Sequence, residues 1–150
     1  MTIFWNNSVK LKRILFIYWL MIPVLFGSYV IVFAAVKNVS VTALFTNIPS
    51  LALTSVVALL SFFQVFILYK LKNSSNYRQS FFGVFLKFSM IQQLCSLNVI
   101  GLLLCILVYR SLLEGSEQVK ISKQVKIQVY SSMVFITLVT FLVVSIRFSL

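Results

Sequence analysis

The sequence predicts an all-α integral membrane protein, with four transmembrane helices in a small bundle that forms one domain over residues 1–150. Three observations carry that prediction. First, 61% of the residues are hydrophobic and 10% charged, with a mean hydropathy of +1.04, far more apolar than a soluble domain of this size can bury. Second, the charges gather between long apolar runs, the distribution a bilayer imposes. Third, four runs free of charge are each 20 to 23 residues long. At a helical rise of about 1.5 Å per residue, each matches a hydrocarbon core of about 30 Å.

The first run, Ile14 to Val36, follows Lys10, Lys12 and Arg13. A basic start before an apolar stretch resembles a secretory signal, but this run exceeds the roughly 7–15 apolar residues of such a signal, and Phe33-Ala34-Ala35 is a poor cleavage site. A retained helix is expected, with a local kink at Pro23. The second run, Ile48 to Tyr69, ends at Lys70 and Lys72. Lys87 and Arg110 bracket the third, Phe88 to Tyr109, and Arg147 closes the fourth, Ile127 to Ile146. Tyr18, Trp19, Tyr69, Tyr77, Tyr109 and Tyr130 fall at or near run ends, where amphipathic rings settle at the membrane interface.

Between the runs, Asn73-Ser74-Ser75-Asn76 reads as a polar turn. The loop from Arg110 to Lys126 holds both acids, Glu114 and Glu117. Apolar residues at 119, 121, 125, 127 and 129 alternate there, which predicts an extended interfacial segment, with an amphipathic interfacial helix as the alternative. Asn38-Val39-Ser40 and Asn73-Ser74-Ser75 match the glycosylation acceptor pattern, but they hug the membrane and read as chance matches.

Thirteen Lys and Arg face two acids, a formal charge of +11 with no His. The cations stand at run ends and not on an aromatic-interleaved stripe, so they read as headgroup anchors and not as a nucleic-acid surface. With four spans, eight cations fall on one side and five on the other, which places both termini in the cytoplasm and the chain in the cell (cytoplasmic) membrane. Cys95 and Cys105 share one run; ten residues of helix separate them by about 15 Å, too far for a disulfide within it.

Polar side chains inside the runs are the candidate functional residues. Ser50, Thr54, Ser61 and Gln64 fall with Ala58 on one face of the second run, and Gln92, Gln93, Ser96 and Asn98 lie in the third. A carboxamide left unsatisfied in hydrocarbon costs several kcal/mol, so these groups face protein or water. A helix-contact face is the first reading and a pathway for a small polar solute the second.

Absences narrow the chemistry. No run holds Asp, Glu, His, Lys or Arg, so proton transfer, metal ligation and base-activated nucleophiles have no titratable group to use. Neither a catalytic site, a cofactor site nor a metal site is expected. The glutamate that a small four-helix multidrug carrier needs in its first span is also missing. In size, basicity and span number the chain resembles in kind, though by no motif, the self-immunity and export-accessory proteins encoded with peptide bacteriocins. That likeness implies a non-enzymatic membrane protein that binds another membrane protein or a membrane-active peptide. The alternatives are a subunit of an oligomeric channel or small-solute transporter and a membrane-permeabilising, holin-like protein.

Overall fold

The computed structural model describes residues 7–72, 74, 76–116 and 120–149. Asn73 and Ser75 of the expected polar turn, and Glu117 and Val119 of the third loop, lie outside the described residues. The architecture is all-α, with three helices long and apolar enough to cross a membrane and two shorter apolar ones.

Helix α1 (Ser8–Lys37) opens on Asn7, whose side chain accepts a hydrogen bond from the Lys10 amide, and continues through Pro23. It ends where Asn38 adopts a left-handed conformation (φ 52°), with the Asn38 and Val39 amides bonded back to Ala35 and Ala34. Ser40 caps the short α2 (Val41–Asn47). Helix α3 (Pro49–Lys70) starts on Pro49, where a missing amide proton costs nothing, and runs back along α1.

The third run departs from expectation. The predicted continuous span Phe88–Tyr109 is divided between two helices, α4 (Phe81–Cys95) and α5 (Val99–Arg110), which fold back on each other. Leu97 stands in the left-handed region (φ 57°), while the Leu97 and Asn98 amides bond to Leu94 and Gln93. These are the paired bonds that close a helix C-terminus. The Asn98 Oδ1 then accepts from the Gly101 amide at 3.0 Å and caps the next helix. One residue therefore ends the turn and starts the return.

The ends of this hairpin are clasped together. Strand β1 (Tyr77–Gln79) precedes α4 and strand β2 (Leu113–Ser116) follows α5; the two pair in parallel, Tyr77 opposite Leu113. At 15 and 12 residues the arms reach about 22 and 18 Å, well short of a hydrocarbon core of about 30 Å. Helix α6 (Lys123–Ser149) completes the chain. The alternation expected from 119 to 129 does not hold beyond Lys123, because Val125 and Val129 sit one helical turn apart and turn toward the core. Extended backbone occurs earlier, in β2.

Contacts run α5 to α1, α1 to α3, α3 to α6, α6 to α4 and α4 to α5, closing a ring of five helices. Leu11, Leu15 and Trp19 fill it from α1 at a spacing of four, and Leu60 and Ile67 enter from α3. Phe82, Phe85 and Leu86 enter from α4, and Val129 and Ile136 from α6. Trp19, expected at the membrane interface, is instead fully buried and meets Phe85 edge-on at 6.0 Å. Lipid is as apolar as this core, so close packing and hydrogen bonds, not the hydrophobic effect, hold the ring.

Contacts among loops and helix ends define one end of the bundle. There Lys12 donates to the Asn76 side chain and lies 3.9 Å over the Phe82 ring, Arg78 pairs with Glu114 at 3.1 Å, and Phe81 packs on Tyr130. The start of α1, the end of α3, both ends of the hairpin and the start of α6 meet at this end. Eleven of the thirteen Lys and Arg belong to it, all except Lys37 and Arg147.

Candidate functional site

The polar residues singled out from the sequence converge where the hairpin tip meets α1 and α3. Gln64 (α3), Gln92 and Gln93 (α4) are 1%, 5% and 2% exposed. Gln64 Nε2 donates to Gln92 Oε1 at 2.6 Å, and Gln93 Nε2 donates to Gln64 Oε1 at 2.9 Å. Gln92 Nε2 donates to Ser96 Oγ at 3.0 Å, and Ser96 Oγ returns a bond to the Gln92 carbonyl. Two bonds thus link the three nearly buried carboxamides, and their directionality fixes the hairpin against α3.

Asn98 joins the opposite flank. Its Oδ1 accepts from Tyr18 Oη at 2.6 Å as well as from the Gly101 amide. Tyr18, like Trp19, was expected at the interface by its position near a run end; it is instead the α1 contact of the hairpin tip. Its signal in the sequence is weak, because a tyrosine five residues into a span fits either role. Gly101 leaves room for the carboxamides of the tip, since a Cβ there would lie 2.5 Å from Gln93 Oε1 and 2.9 Å from Asn98 Nδ2.

Beyond the tip lies a half-open cavity of about 110 Å³. Ile22 and Phe26 form its α1 wall, Thr54, Val57, Ala58 and Ser61 its α3 wall, and Gln92, Gln93, Ser96 and Asn98 its floor. Thr54, Ala58 and Ser61 recur at four- and three-residue spacing, so small side chains line one helical face. Ile22 and Phe26 stand at the centre of the first apolar run, which sets the cavity near the middle of α1. Of the eight expected residues, Ser50 alone is not brought in: it is exposed in the first turn of α3, where its carbonyl accepts from Thr54 Oγ1.

All ten lining residues are uncharged. Among the described residues no group of three His, Cys, Asp or Glu could hold a metal ion. Cys95 is exposed at the tip and Cys105 is buried in the ring; neither forms a disulfide. The buried hydroxyls of Ser89 and Thr140 and the Trp19 indole N–H find no hydrogen-bond partner among the described residues. What the cavity can do is therefore neutral recognition: it offers donors and acceptors in an apolar surround, where each hydrogen bond gains strength from the low dielectric.

Compared with known protein families, with curated proteins and with solved structures, the chain matches none. Three long apolar helices nonetheless place it in a membrane as a multi-pass protein.

Proposed function

We propose that the chain is a non-enzymatic protein of the cell membrane that acts as an accessory or self-immunity component, holding a membrane partner or a membrane-active peptide through its helix faces. The observation that supports this reading most is the half-depth hairpin. Below its tip five helices close a packed ring; above it α1, α3 and α6 stand without the hairpin, and a neutral polar cavity lies at the tip. Catalysis by proton transfer would need a titratable group at that cavity, and the polar side chains of its lining are carboxamides and hydroxyls.

The hairpin also supports a membrane topology of three crossings and one re-entrant segment in place of four crossings. The cation-rich end then faces the cytoplasm by the positive-inside tendency, with the start of α1 inside and the end of α6 outside. This replaces the modest eight-to-five bias of the four-span reading, and its cytoplasmic C-terminus, with a segregation of eleven to two.

A channel-subunit or permeabilising reading gains no specific observation. The floor of the cavity is closed by the glutamine bonds, and beneath them Trp19, Phe82 and Phe85 fill the ring. The test is purification of the tagged full chain in mild detergent, with identification of co-purifying proteins, alongside exposure of expressing cells to pore-forming peptides. A stoichiometric partner, or protection against one peptide, is the expected result. A clean homo-oligomer that conducts ions in vesicles and protects against nothing would overturn it.

A further inference from the structure

We infer that the cavity at the hairpin tip is a recognition site for a neutral hydrogen-bonding side chain, a hydroxyl or carboxamide, carried on an apolar peptide helix in the half of the bilayer away from the basic end. The inference rests on the partner-binding function proposed above and names its site. Three observations carry it.

The first is hydrogen-bonding capacity left unspent. Ser61 is 5% exposed, lines the cavity, and its hydroxyl makes no hydrogen bond among the described residues. Thr54 Oγ1 gives its proton to the Ser50 carbonyl, which leaves its lone pairs free to accept. A hydroxyl held in hydrocarbon without a partner is costly, so a site of this kind favours any group that can both donate and accept.

The second is depth. The lining draws on Ile22, Phe26 and Ala58, all central to their apolar runs, where a phospholipid presents acyl chain and no headgroup. A polar group delivered there must ride on something that itself crosses the core, and a helix satisfies its own backbone while doing so. The third is shape. Thr54, Ala58 and Ser61 are small and share one face of α3, so a second helix can approach closely enough for a side chain to enter between α3 and the hairpin tip. The absence of charge from the lining selects a neutral group, since a desolvated ion would find no counter-charge.

Cys95 supplies the reporter, because it is exposed at the tip while Cys105 is buried. The full chain, labelled at Cys95 with a donor fluorophore, is reconstituted in phosphatidylcholine vesicles. It is titrated with an acceptor-labelled leucine–alanine helix carrying one central Asn, and separately with the same helix carrying Leu. Saturable energy transfer is expected, with the Asn helix bound about tenfold more tightly than the Leu helix, as one or two intramembrane hydrogen bonds would give.

Ser61→Ala, which removes the hydroxyl and keeps the space, narrows that preference. Ser61→Leu, which fills the space, abolishes it. Equal affinity for the two helices, or a preference that survives both variants, overturns the inference. Co-purification separates this outcome from failure of the broader reading: a partner captured equally by the wild-type chain and by Ser61→Leu leaves partner binding standing and removes the cavity from it.

Discussion

At the level of single residues, the hairpin depends on a leucine in a conformation that L residues avoid. Leu97 is 73% exposed, so its side chain contributes little packing, while its left-handed backbone carries strain. Leu97→Gly is therefore expected to stabilise the protein by about 0.5–1 kcal/mol, and Leu97→Val to destabilise it by about 1 kcal/mol or more, measured by unfolding in mixed micelles. Gln64 holds both neighbouring carboxamides, and Gln64→Leu leaves Gln92 Oε1 and Gln93 Nε2 buried without a partner. That substitution should cost about 1–3 kcal/mol, against less than about 0.5 kcal/mol for Thr54→Val at an exposed position, by the same assay. Glu114 is 87% exposed where it meets Arg78, so Glu114→Gln should cost under about 1 kcal/mol. The glutamines were legible in the sequence because a carboxamide in an apolar run must find a partner. Tyr18 and Trp19 were not, because a ring near a run end satisfies an interfacial and a buried role equally well.

Among the elements, three of the four runs could be read directly: Ile14–Val36, Ile48–Tyr69 and Ile127–Ile146 lie within α1, α3 and α6 apart from Ile48, the residue that caps α3. The helices extend past the runs by up to two turns, through charged residues such as Lys10 and Lys123 that hydropathy alone sets aside. The third run misleads because α4 and α5 are each apolar and nearly contiguous, and Lys87, a residue inside α4, looks like a border. Signals of the break exist. Ser80 caps α4 eight residues before the run begins, and Asn98 stands three residues before Gly101 as a second cap. Glycines provide a test of the hairpin as an element. A Cβ on Gly83 would collide with the carbonyl of Arg78, the middle residue of β1, whereas nothing lies within 4 Å of one on Gly27. Gly83→Ala should thus lower the unfolding midpoint markedly, and Gly27→Ala should leave it unchanged or raise it, as alanine is the better helix former by about 1 kcal/mol.

For the whole molecule, the return of the hairpin decides which surfaces share a side. With Cys95 and Cys105 replaced by alanine, cysteines introduced singly at Gln79 and Ser116 should react with a membrane-impermeant maleimide from the same face of a sealed vesicle. Four crossings would put them on opposite faces. The charge pattern could have raised this possibility, because a count of eight to five is a poor segregation for so basic a chain, yet no rule of hydropathy assigns a run of this length to a half-depth return. The hairpin has a further consequence for how the protein is made. Each arm is too short to be left across a bilayer alone, and both outer ends carry cations that resist translocation. Gln92, Gln93 and Asn98 find their partners on Gln64 and Tyr18, residues already synthesised and threaded when the arms emerge. On the proposed topology α1 and α3 are expected to form the template, and the segment from 81 to 110 to enter as a folding event against that surface, not as an independent insertion by the translocation machinery.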